Sequence, residues 1–82
     1  MTPLHKDLLL ALHAARPNGL TAELLTSDMR GLRHRSATVP QVQTALRDLA
    51  DRSLAAPMAG PLTDRWRITA LGSSALTEEG LV

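Results

Sequence analysis

Thr38-Val39-Pro40-Gln41-Val42-Gln43-Thr44-Ala45-Leu46-Arg47-Asp48-Leu49 is the stretch on which the fold turns. A threonine followed three residues later by glutamine matches the capping box, and proline is tolerated in a first helical turn because its missing N–H would have had no helical acceptor there. A helix therefore starts at this point. Its apolar positions, Val42, Ala45, Leu46, Leu49 and Ala50, with Ser53, fall on one side, and Gln43, Thr44, Arg47, Asp48 and Asp51 fall on the other. One face is built for a core and the other is a long, flat, polar surface.

Upstream, Gly31 is suited to ending a helix, and Leu32-Arg33-His34-Arg35-Ser36-Ala37 has no clean period, so it reads as a basic connection. Before it, Thr21 can cap a short helix over Ala22 to Met29, with Leu24, Leu25 and Met29 inward and Leu20 stapled onto Leu25. Further back, Thr2 can cap a helix opening on Pro3, whose inner stripe is Leu4, Leu8, Ala11, Leu12 and Ala15. That helix should stop at Arg16, because Pro17 cannot continue it and Asn18-Gly19 is turn chemistry.

Downstream, Leu54 to Met58 is short and broken by Pro57, Ala59-Gly60-Pro61 with Thr63-Asp64 supplies turn residues, and Arg65-Trp66-Arg67-Ile68-Thr69 alternates with a period of two. A hairpin of two short strands follows, in which Arg65 and Arg67 point opposite to Trp66. Thr69 can then cap a last helix through Leu71, Ala75 and Leu76, where Gly72 costs about 1 kcal/mol against alanine unless it serves a close approach. Glu78-Glu79-Gly80 is expected to fray.

Residues 1–82 are expected to form one domain, because 82 residues with 44% hydrophobic and 21% charged content is an ordinary balance for a single small core. There is no cysteine, which excludes disulfides and thiolate metal sites and suits a cytoplasmic location. The longest strongly apolar run, Leu8 to Leu12, is far short of the roughly 20 residues that cross a bilayer, and Asp7 before it and His13 after it do not suit a signal peptide. No membrane association is expected. With nine Lys plus Arg against eight Asp plus Glu, the formal charge is only +1, so any affinity for nucleic acid must come from where the charges lie. Trp66 is the single aromatic residue, which disfavours a base-stacking platform for single strands. With no other aromatic to fill the interior, Trp66 is expected to be largely buried against the first and third helices.

The order of helix, short extended piece, helix, connection, helix, hairpin and helix resembles the winged helix-turn-helix plan. Gly19-Leu20-Thr21-Ala22-Glu23-Leu24 looks like the entry to its positioning helix, and residues 38–49 with Leu54 resemble the recognition helix and the strand after it. Arg65 to Gly72 is similar to the second wing strand and the Thr-x-x-Gly helix start of MarR-like and PadR-like bacterial regulators. Two features depart from the pattern: the connection from Arg30 to Ala37 is longer than the tight turn of the simple motif, and the flanking helices through which MarR-like proteins dimerise are not evident.

The resemblance implies a mainly α fold with a three-helix core, a two-stranded wing and a C-terminal helix, and double-stranded DNA as the partner. It nominates Gln41, Gln43, Thr44 and Arg47 as base-reading residues, with Thr38 beside them. The chemistry agrees, since Gln pairs bidentately with adenine, Arg with guanine, and Thr with a phosphate, a base edge or a thymine methyl. Arg30, Arg33, His34 and Arg35, with Arg65 and Arg67 of the wing, are the expected phosphate contacts. Each set has a plainer reading as well: a solvated helix face, and loop arginines paired with Asp28 or Asp48.

His5 and His13 stand eight residues apart with no third ligand at metal spacing, and no nucleophile motif, glycine-rich phosphate loop or paired carboxylates occur. No metal, cofactor or catalysis is expected. The leading expectation is a bacterial or phage transcription regulator that binds specific DNA sequences as a homodimer. Its dimer surface would lie on the first or last helix, through Leu9, Leu10, Leu76, Leu81 and Val82. The alternative is a winged-helix module for protein contact within a larger assembly, which the near-neutral charge and the apolar stretch from Leu54 to Leu62 would suit.

Overall fold

All four α-helices begin on a threonine in an extended backbone conformation, and in each the hydroxyl oxygen accepts the N–H three residues on. In this computed structural model, which describes residues 1–82, the elements run α1 (Pro3–Ala14), β1 (Leu20–Thr21), α2 (Ala22–Gly31), α3 (Val39–Asp51), β2 (Ala55–Met58), β3 (Arg65–Ile68) and α4 (Ala70–Glu78). Thr2, Thr21, Thr38 and Thr69 are the caps, and each is worth about 1 kcal/mol. Thr38 and Gln41 complete the capping box foreseen in the sequence, and α1 has a second box in which His5 plays the glutamine's part.

The helix ends differ more from expectation. The C-terminus of α3 closes with Leu54 N–H on Leu49 O at 2.9 Å and Ser53 N–H on Ala50 O at 2.9 Å, which places Ser53 in the left-handed region at φ 62°. The end of α4 does not fray: Leu81 N–H reaches Leu76 O at 2.9 Å, Gly80 N–H reaches Thr77 O at 3.0 Å, and Gly80 takes the same left-handed conformation at φ 73°. A glycine just past the last turn is what this closure favours. Gly31, in contrast, is the last residue of α2 and has no positive φ.

The sheet has three strands in the order β1-β3-β2, antiparallel throughout, where the sequence suggested a hairpin of two. On β3, Trp66 lies between Leu20 of β1 and Pro57 of β2, and Arg65 lies between Thr21 and Met58. Gly19 makes this approach possible: it has φ 74°, and a Cβ there would stand 2.4 Å from the Trp66 carbonyl oxygen.

α1 packs on α2, α3, α4 and β3, so its buried face is wider than one helical stripe. Leu8, Leu9 and Leu12 are all fully buried, together with Leu25, Met29, Val42, Leu46, Leu49 and Leu76, and Ile68 is nearly so. Three expectations are corrected here. Leu9 and Leu76 belong to this core and cannot form the dimer surface assigned to them, whereas Leu81 and Val82 remain exposed. Leu24 faces outward, half exposed, because the inner side of α2 is taken by Ala22, Leu25, Thr26 and Met29. Trp66 packs against the core as one of its partly buried side chains and is not among the fully buried ones, on a strand that packs on α1 between Leu20 of β1 and Pro57 of β2.

Candidate nucleic-acid interface

The first turn of α3 spends part of its polar chemistry on itself. Gln41 Oε1 accepts the Thr38 N–H at 3.1 Å, Thr38 Oγ1 accepts the Gln41 N–H at 3.3 Å, and the Thr44 hydroxyl donates to Pro40 O at 3.0 Å. Thr44 keeps its methyl group and its acceptor lone pairs for another molecule. Gln43, partly exposed, and Arg47, exposed, take no part in these bonds. They are the two side chains of this face with their full bidentate capacity free. Farther along, Asp48 Oδ2 stands 3.7 Å from His5 Nε2 of α1, although the Asp48 side chain stays half exposed.

The connection between α2 and α3 is fastened rather than loose. Arg33 donates to both oxygens of Asp7, from Nε to Oδ2 at 2.8 Å and from Nη2 to Oδ1 at 3.2 Å, and His34 Nε2 lies 2.7 Å from the same Oδ2. At the far end, Arg30 Nε donates to Ala37 O at 2.7 Å. Neither Asp28 nor Asp48, the partners weighed from sequence, is the acid used. Of the basic residues expected on phosphate, Arg33 and His34 are thus held by Asp7, Arg30 has its terminal guanidinium nitrogens free of these bonds, and Arg35 is exposed and unpaired.

Asp7 was missed as a functional candidate, yet the sequence carries its signal. It lies three residues after Leu4 and four before Ala11, so a carboxylate interrupts an otherwise apolar stripe. His5 gives the same signal, four residues before Leu9 and seven before Leu12, and it too is buried.

The wing alternates as expected: Arg65 and Arg67 are exposed, Trp66 is half-buried and Ile68 is buried. Arg67 has no partner, and Arg65 makes only a long contact, 3.4 Å, to Gly19 O. Arg65 pairs with Met58 in the rung next to the loop, and Arg67 pairs with Ala56 nearer the root of the hairpin. Its tip, residues 59–64, contains no cation, carries Asp64, and presents Leu62 at 97% exposure.

Two of these groups link stability to pH. The Thr2 N–H points at His5 Nδ1 from 3.3 Å, which makes that nitrogen the acceptor and leaves the ring proton on Nε2. Burial, only partly opposed by Asp48, pushes the His5 pKa below its ordinary value. The folded pKa lies under the unfolded one, so the neutral ring's contribution is complete above about pH 6.5 and is lost as pH falls through the folded value. The Arg33 hydrogen bond, helped by His34 and resisted by burial, holds the Asp7 carboxyl below the usual range. Its contribution is present above about pH 3.9 and is lost at still lower pH. Thermal melts should therefore show a first loss of stability just below pH 6.5 that His5→Gln removes, and a second below pH 4. A melting temperature unchanged from pH 7.5 to 5.5 would contradict the first assignment.

No protein-family model and no curated protein matches the sequence. Solved structures do match. The complex of hsRosR-S4 superposes with a TM-score of 0.85 at 15% identity, over 96% of this chain and 67% of that one. RosR of H. salinarum gives 0.84 at 15% identity, over 96% and 70%. A single-substitution mutant of S. aureus MepR, solved bound to an oligodeoxyribonucleotide, gives 0.75 at 19% identity, over 96% and 59%. The chain thus spans between about half and two thirds of the chains it resembles, from 54% to 70%. Helix order, connection, three-stranded sheet and wing together make this a winged helix-turn-helix domain.

Proposed function

We propose that the protein is a non-enzymatic transcription regulator of bacterial or phage type that binds specific sequences of double-stranded DNA in the cytoplasm. The observation that carries this reading is the exposed face of α3, where Gln43 and Arg47 stand uncommitted beside Thr44 and follow Arg30 at the end of α2 and Arg33 and Arg35 in the connection. In this reading α3 lies in the major groove, with Gln43 and Arg47 on base edges and the Thr44 methyl against a thymine. Thr38 and Gln41, bonded to each other, shape the entry of the helix and meet the groove wall. Arg30, Arg33 and Arg35, with His34 beside them, follow one strand's phosphates, and Arg65 and Arg67 meet the backbone from the wing. The match to a MepR structure solved with an oligodeoxyribonucleotide supports DNA as the partner.

A single module contacts little DNA, and a net charge of +1 gives it a small electrostatic reserve, so the reading includes a homodimer. With Leu9 and Leu76 in the core, the exposed apolar side chains left for that contact are Leu71 on α4 and Leu81 and Val82 beyond it. A second reading, docking onto another protein, is favoured by the fully exposed Leu62. Gel-shift titration with random-sequence duplexes at two salt concentrations separates the two. A shift that weakens steeply with salt is expected, and no shift at low salt would move the assignment to protein docking.

A further inference from the structure

We infer that Asp7 is a positioning residue for DNA binding: it grips one edge of the Arg33 guanidinium and thereby turns the opposite edge toward the phosphate backbone. The inference rests on the DNA-binding reading above. Asp7 belongs to α1, far in sequence from the polar face of α3.

The burial of the pair is lopsided. The Asp7 side chain is 11% exposed and that of Arg33 is 64% exposed, so the carboxylate is fixed in the fold and the guanidinium projects from it into solvent. A guanidinium has five N–H groups in one plane. Asp7 takes one from Nε and one from Nη2, along a single edge. The remaining three, two on Nη1 and one on Nη2, point away from the carboxylate and can meet a phosphate from the solvent side. His34 on the same Oδ2, and Arg30 on the Ala37 carbonyl, keep the connection from drifting while this happens.

Two effects compete. Asp7 offsets part of the positive charge of Arg33, which weakens its pull on a phosphate. It also removes the cost of ordering a long side chain on binding, worth roughly two- to tenfold in affinity. Charge offset is the smaller effect here, because the outward edge of Arg33 is in water, where screening is strong. Arg35, exposed and unpaired two residues later, has no such support and serves as the internal contrast.

The test uses the full chain and a random-sequence duplex, with fluorescence anisotropy read across a salt series and circular dichroism to establish that each variant is folded. Asp7→Asn should lower affinity about two- to tenfold in the parent and have no effect in an Arg33→Gln background. Arg33→Gln should flatten the salt slope by about 0.9. Because Asp7→Asn can compromise folding, Arg33→Lys is the second variant: it keeps the charge beside Asp7 but loses the free planar edge, so its affinity should fall with that of Asp7→Asn. Asp7→Asn binding as tightly as the parent or tighter, losses that multiply in the double variant, or Arg33→Lys at parent affinity would each overturn the inference and leave the DNA-binding reading standing. A parent that binds no duplex at any salt overturns both.

Discussion

Replacing Gly72 with alanine should lower stability by about 3 kcal/mol, enough to unfold much of so small a domain. At an exposed helical position the same change would stabilise by about 1 kcal/mol, so even the sign is diagnostic. A Cβ at residue 72 would stand 2.2 Å from the Leu54 carbonyl oxygen and 2.7 Å from Ile68 Cγ1. That oxygen cannot retreat easily, because it accepts the Thr69 N–H at 3.2 Å, while Thr69 Oγ1 caps α4 by accepting the Gly72 N–H at 3.0 Å. The glycine therefore sets how closely α4 seats on the strand that leaves α3, and a misplaced α4 would also shift the wing. Urea denaturation measures the effect, and a variant as stable as the parent would mean that α4 does not approach so closely.

The second large effect concerns DNA. Arg35, Arg65 and Arg67 are all exposed, and none holds a carboxylate, so changing all three to glutamine should leave the fold intact within about 1.5 kcal/mol. If each meets one phosphate, the dependence of log affinity on log salt should flatten by about 2.7, at about 0.9 per contact, and every duplex should be weakened alike. Substitutions at Gln43 or Arg47 belong to another class, because they should alter preference at particular base pairs while leaving the slope for unrelated sequences nearly unchanged. A triple variant with the parent's salt slope would remove the wing strand β3 and the connection from the proposed surface.

Local chemistry was legible in the sequence where one residue type at one spacing decides it. The threonine caps, the Thr38–Gln41 box, the alternation about Trp66 and the close approach at Gly72 are of this kind, since each depends on neighbours within four residues or on one missing Cβ. What was not legible depends on distant partners. The short extended piece before α2 was anticipated, but not its pairing with β3, because two residues show no period and the pairing depends on Gly19 letting the chain reach β3. Leu9 is buried because α1 is covered on several sides, and Leu24 is exposed because α2 turns Ala22, Leu25, Thr26 and Met29 inward instead. The candidate site divides in the same way. The basic cluster was evident as charge, but its partition could not be seen, because Asp7 pairs with residues 26 and 27 positions away. The polar face of α3 was evident from its period, whereas the commitment of Gln41 and Thr38 to each other, leaving Gln43 and Arg47 free, required the geometry.

In the proposed function, α3 reads base edges in duplex DNA through Gln43 and Arg47. The most direct test is to mix the protein with a pool of random-sequence duplexes at physiological salt, recover the bound fraction and sequence it, for the parent, Gln43→Ala and Arg47→Ala. The parent should enrich a defined motif, each variant should lose preference at one or two base pairs of it, and each lost bidentate pair should cost about 1 to 3 kcal/mol of discrimination. A bound pool from the parent that is as random as the input, or one whose motif is unchanged in both variants, would contradict the account.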